Sequence, residues 1–193
     1  MDWTASQIRC TSLLLAVVVT CGWPIRVRAA DATAPHVRAS DDYLRSLIAR
    51  GMSRSATFLA LVERLDAEST IVIVEHRSLS LTVQGRLIFL TAVAGRKYVE
   101  VQINEGMSGD NQIAILGHEL QHAVEIAASP VTDNRTLSQF YARIGYRTDD
   151  DGLKYETAAA QGVESSVREE LGHAEMGVRD AASHLLTTFE SIF

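Results

Sequence analysis

The chain has 193 residues, 47% of them hydrophobic, enough to bury one good core in a single domain. Its formal charge of −6 comes without basic runs, which argues against nucleic acid or an anionic membrane as a partner. The only two cysteines, Cys10 and Cys21, stand close to the N-terminus.

Residues 1–29 read as a secretory signal peptide. Arg9 supplies a small positive region, Leu13 to Val19 an apolar stretch, Trp23-Pro24 a break, and Val27-Arg28-Ala29 small residues at the cleavage position. The apolar stretch is short for a membrane span. The alternatives are an uncleaved anchor, or a lipid on Cys21 after a poor Val-Val-Thr-Cys sequence. Cleavage implies a secreted or periplasmic protein with no stable membrane span. It would remove both cysteines, leaving no disulfide and no thiolate to hold a metal. Loss of Arg9, Arg26 and Arg28 together with Asp2 takes the charge from −6 to −8.

Residues 30–40 are polar and alanine-rich, a flexible mature N-terminus ahead of a domain at 41–193. Two helical stretches fit Asp41 to Glu68, divided at Gly51, with Tyr43, Leu44, Leu47 and Ile48 before it and Phe58, Leu59, Val62 and Leu65 after. Three strands are expected next, at Thr70–Glu75, Leu87–Val93 and Lys97–Asn104. The third alternates cleanly, and Ala94-Gly95-Arg96 suits a tight hairpin before it. A helix from about Asn111 to Ala128 ends at Ser129-Pro130. A short helix near Leu137–Ile144, an acidic loop at Asp149–Gly152, and two helices at Lys154–Leu171 and His173–Ile192 complete the reading. The expected class is α+β, a short, mainly antiparallel sheet of about three strands between N-terminal and C-terminal helices.

The informative helix is the one at 111–128, which contains His118-Glu119-Leu120-Gln121-His122. Histidines four apart lie about 40° apart round a helix, so both imidazoles can reach one zinc ion. Glu119, about 100° round from His118, can reach a water beside that ion and act as general base. Ile113, Leu116, Leu120, Ala123, Val124 and Ala127 make an apolar stripe; Asn111, Ala114, His118, Gln121, His122 and Glu125 fall opposite it. The histidines are thereby assigned to a functional face rather than the core.

Catalytic zinc takes three protein ligands. The H-x-x-G-x-x-H extension is absent, since Glu125 stands at the glycine position and Ala128 at the third histidine. Glu156 is the chosen third ligand, because it shares a helical stripe with Ala160, Val163 and Val167, where a carboxylate needs a cation or a proton. An ion pair with Arg143 or Arg147 is the plain alternative for Glu156, and Glu164, Glu170 and His173 are the other ligand candidates.

His118–His122 followed by Glu156 resembles the gluzincin branch of the zincin metallopeptidases, in very small form and of a secreted bacterial type. The resemblance covers roughly residues 70–170, and only the five-residue motif in it is specific. It implies Zn2+ as cofactor and a zinc metallopeptidase, cleaving a peptide or protein substrate with Glu119 as base. It also implies a sheet edge along the cleft, a place that Lys97–Asn104 would take. Many gluzincins continue E-x-x-x-D, whereas Ala160 stands fourth after Glu156 here; Glu125 could support a histidine instead. Tyr146, Tyr155 and His173 are candidates for an oxyanion donor. Three other readings compete: a secreted protein that binds zinc without turnover, a ferritin-like di-metal protein pairing Glu119-x-x-His122 with Glu170-x-x-His173, and a hydrolase of cell-wall peptide or another amide.

Overall fold

A β-α-α-β crossover opens the structure, a computed structural model that describes residues 35–80, 82–147 and 155–190, with side chains to 174. These residues belong to one compact unit, Ala34–Phe193. The leader expected at 1–29, the acidic loop expected at 149–152, Lys154 and Ile192 lie outside the described residues.

Strand β1 (Val37–Ala39) leads into helix α1 (Asp42–Arg54), capped by Asp41, whose carboxylate accepts from Leu44 N at 2.8 Å. The segment read as a flexible N-terminus thus ends in a strand, pairing in parallel with Thr70–Arg77 (β2). Helix α2 (Ala56–Asp66) begins at Ser55, and the division between the two helices falls there rather than at Gly51. Ser55 is extended and its hydroxyl accepts from Phe58 N at 3.0 Å. Gly51 stays inside α1, where a Cβ would lie 2.9 Å from the Phe58 ring. Its small size serves close packing.

Strands β3 (Gly85–Val93) and β4 (Arg96–Asn104) form the expected hairpin. Ala94 (φ 51) and Gly95 (φ 77) both take the left-handed conformation of a two-residue turn. The sheet has four strands in the order β1-β2-β4-β3, parallel except for β3. Two expectations are corrected here: the sheet is mixed rather than mainly antiparallel, and Lys97–Asn104 is interior. The free edge on that side belongs to β3. An alternating pattern reports one buried and one open face, and says nothing about which strand is outermost. On one face of this sheet Arg86 Nε donates to Gln102 Oε1 at 2.6 Å, and Gln102 Nε2 to Glu100 Oε1 at 2.5 Å. The other face carries Val72, Val74, Phe89, Val99, Val101 and Ile103 into a core shared with Leu44, Leu47, Phe58 and Leu65.

Helix α3 (Gly109–Ala127) crosses this core, against β3 and β4 on one side and α5 (Ala158–Glu190) on the other. Gly117 allows the close crossing, since a Cβ there would meet Val167 Cγ2 at 3.2 Å. The face of α3 opposite its apolar stripe is therefore covered as well, and Ala114 is fully buried. Helix α4 (Asn134–Ile144) starts with a capping box between Asp133 and Thr136. Two residue pairs, β5 (Tyr146–Arg147) and β6 (Tyr155–Glu156), make a small antiparallel ladder before α5. The two expected C-terminal helices are one, beginning at Ala158 and passing through Gly172 without a break. A lone glycine costs a helix only about 1 kcal/mol and does not end it. Among the described residues no helix is long and apolar enough to cross a membrane.

Lys97 anchors the end of α3. Its ammonium donates to the carbonyls of Ile126 (2.6 Å), Ala127 (3.2 Å) and Ser129, while burial lowers its pKa against the opposing pull of Glu68. Lys97→Met keeps the aliphatic stem and strips the charge from these terminal carbonyls. It should cost about 2 kcal/mol in urea denaturation, in line with hydrogen bonds from a charged donor. An unchanged midpoint would mean that water serves those carbonyls equally well.

Candidate metal centre

His118 and His122 lie one turn apart on α3, 9% and 6% exposed, with ring centroids 5.0 Å apart in an edge-on arrangement. Their Nε2 atoms both face Glu156, His118 at 3.4 Å from Oε2 and His122 at 3.6 Å from Oε1. One donor atom from each of the three residues falls within 4.8 Å of the others. The element that delivers Glu156 differs from the expected one. It belongs to β6, ahead of α5, so the helical stripe that singled it out does not exist, although Ala160 and Val167 are buried on α5. The ladder to β5 brings it in, and Gly145 makes room, since a Cβ there would lie 2.6 Å from the Glu156 carbonyl oxygen.

Behind each histidine stands a second carboxylate. Glu125 Oε2 accepts from His122 Nδ1 at 2.9 Å, the supporting role weighed for it from sequence. Glu164 Oε2, on α5, lies 3.2 Å from the buried His118 Nδ1 but off the line of a well-formed hydrogen bond. Arg168 holds the other Glu164 oxygen at 2.8 Å. Protons on the Nδ1 atoms leave the Nε2 lone pairs free to face Glu156, as a metal requires. Glu164, a rival for third ligand, thus backs a histidine instead.

Glu119 is 6% exposed and leans with Ile115 against the start of β3. A Cβ on Gly85 would lie 2.6 Å from Ile115 Cγ2 and 3.0 Å from Glu119 Oε1. Burial pushes the Glu119 carboxyl up to about 7; His122 opposes this, and Glu156 and Glu164 add to it. His118 is lowered by burial against the pull of Glu156. For His122 burial acts downward too, but its hydrogen bond to Glu125 and the nearby Glu156 carboxylate outweigh this and raise it to about 9. Burial pushes Glu156 and Glu125 upward, yet both end lowered: Glu156 by the neighbouring His122 and His118 rings, Glu125 by hydrogen bonds with His122 and Thr157. The cluster therefore draws in positive charge, either a proton on His122 or a metal ion. Two imidazole nitrogens, one carboxylate and a further carboxylate close by suit zinc in its catalytic form.

Tyr141, from α4, completes the wall. Its ring meets His122 edge-on at 5.5 Å, and its hydroxyl donates to the His122 carbonyl at 3.3 Å. Burial, with Glu125 and Glu119 adding, pushes its phenol well up, so the proton stays. Nothing in the sequence pattern distinguishes it from other tyrosines. The remaining candidates lie elsewhere. Tyr146 and His173 are exposed, and Tyr155 stacks on Tyr141. Glu170 caps α2, accepting from Thr57 N at 3.1 Å, Thr57 Oγ1 at 2.7 Å and Ser55 Oγ. The second E-x-x-H pair consequently makes no metal site with the first, which corrects the di-metal reading. Arg147 lies over Tyr155, 6.0 Å from the ring centroid, so the ion pair considered for Glu156 is taken by the two histidines among the described residues.

The centre has the H-E-x-x-H donors and the glutamate of a zincin-like site. Comparison with protein-family models, with curated proteins and with solved structures finds no match to this chain, so its assignment rests on these atoms.

Proposed function

We propose that this chain is a small gluzincin-like zinc metallopeptidase that hydrolyses peptide bonds with Glu119 as general base. The observation that carries the reading is the convergence of His118, His122 and Glu156, with a buried carboxylate next to them on α3. Zinc held by these three residues supplies a Lewis acid for the carbonyl and lowers the pKa of water. Glu119 takes the proton of the attacking water and returns it to the leaving amine. Its pKa near 7 falls when a dication sits beside it, so the carboxylate is ionised when needed. Glu125 and Glu164 keep the imidazoles oriented. An inactive zinc-binding protein would have no use for Glu119, whose burial costs the fold stability above neutral pH.

An extended substrate would pair with the free edge of β3, whose first residue adjoins Glu119. Gly85→Ala tests this neighbourhood. The added methyl crowds Ile115 and Glu119, and a displacement of about 1 Å at a reacting group can cost roughly 100-fold. The expected result is a fall in kcat of at least about tenfold with zinc content unchanged; full activity would put the working position of Glu119 away from this strand. For the chain as a whole, the leader at 1–29 supports a secreted or periplasmic protein.

Elemental analysis of purified protein should give one zinc per chain, and a chelator should remove zinc and peptide hydrolysis together. Protein that takes up no zinc, or cleaves as well without it, would overturn the proposal.

A further inference from the structure

Thr157 plays no part in the chemistry above, yet it bonds both Glu156 and Glu125, the carboxylate behind His122. It is 3% exposed and sits between the ligand strand β6 and helix α5. Its backbone N–H donates to Glu156 Oε1 at 2.8 Å, the same oxygen that faces His122. Its hydroxyl donates to Glu125 Oε1 at 2.8 Å, while the other oxygen of Glu125 holds His122 Nδ1. The same hydroxyl accepts from Ala160 N at 3.1 Å, capping the first turn of α5. A hydroxyl has one proton to give, and here it goes to the carboxylate behind a ligand.

We infer that Thr157 is a positioning residue for the metal, coupling Glu156 to the Glu125–His122 pair across the gap between β6 and α3. The inference deepens the zinc reading and rests on it. Without the hydroxyl, that oxygen of Glu125 is left with the long 3.5 Å bond from Gln121 Nε2 and holds His122 less firmly, and the turn that aims Glu156 loses its cap. Ligands from α3 and β6 would then no longer share one fixed geometry, although every ligand is still present.

The test is Zn2+ affinity of the full chain by competition with a chromophoric chelator, together with apo stability. Thr157→Val should bind zinc about 10–100-fold more weakly, the usual loss for a partner behind a ligand, and Thr157→Ser should restore wild-type affinity. The lost cap should also lower the apo denaturation midpoint of Thr157→Val, and Thr157→Ser should recover it. Combining Thr157→Val with Glu125→Gln should cost little more than either change alone, because both break the same link. Thr157→Val within twofold of wild type would overturn the inference and leave the zinc reading intact, as would a double variant whose losses simply multiply. A wild-type chain that binds no zinc would overturn both.

Discussion

Glu119→Gln protein is expected to keep one zinc per chain and to hydrolyse peptides about 10²- to 10⁴-fold more slowly, the range that a positioned general base supplies. The amide keeps the volume that fits against Gly85 and Ile115, so packing is not the cause. Apo stability provides a control with a definite sign. The carboxyl of Glu119 is raised from its ordinary 4.5 to about 7 by burial. Its contribution is fully present below 4.5 and is lost as pH rises through about 7, whereas glutamine has nothing to titrate. Apo Glu119→Gln protein should therefore gain stability relative to apo wild type between pH 5 and pH 8. Loss of zinc in this variant would show that Glu119 binds the metal rather than the water's proton.

Glu156→Ala should lose zinc outright on ordinary purification, a larger effect than that of any residue behind the ligands. It leaves two imidazoles, and zinc sites with turnover keep three protein ligands. It also removes one of the two neighbouring carboxylates that raise His122, so a proton on that ring is held less firmly. Zinc titration of wild type beside the variant decides the matter. Unchanged affinity would take Glu156 out of the ligand set and return Glu164, 3.2 Å from the other histidine nitrogen, to consideration. Activity alone would not discriminate, because losing the ion and misplacing it both silence the enzyme.

How far the chain could be read depended on the distance over which each signal acts. The histidine pair, Glu119 and Glu125 were legible because helical spacing alone sets them on neighbouring faces. Glu156 was reached for a wrong reason. Spacings of four, seven and eleven residues to Ala160, Val163 and Val167 imitate a stripe, but Thr157 starts α5 one residue too late for Glu156 to be on it. Glu164 and Tyr141 depend on how α5 and α4 pack, which no local pattern states. The interior place of β4 was hidden similarly: its pairing with β2 joins segments separated by a whole hairpin arm, while the turn at Ala94-Gly95 was evident from adjacent residues. The break at Ser55 was missed because Gly51 looked like the punctuation and was instead a contact.

The pairing of β3 with β4 slips between Phe89 and Thr91, placing Leu90 out of register. A bulge bends a strand and increases its twist, so the outer edge is regular only from Gly85 to Phe89. That stretch works as a ruler, with Glu119 at its zero mark. Under the proposed reading, a peptide on this edge would lie flat beside it as far as Phe89, and residues past the bulge would gain less from this strand. The same irregularity keeps exposed Leu90 and Val93 from forming one straight, sticky border on which two copies of the protein could zip together.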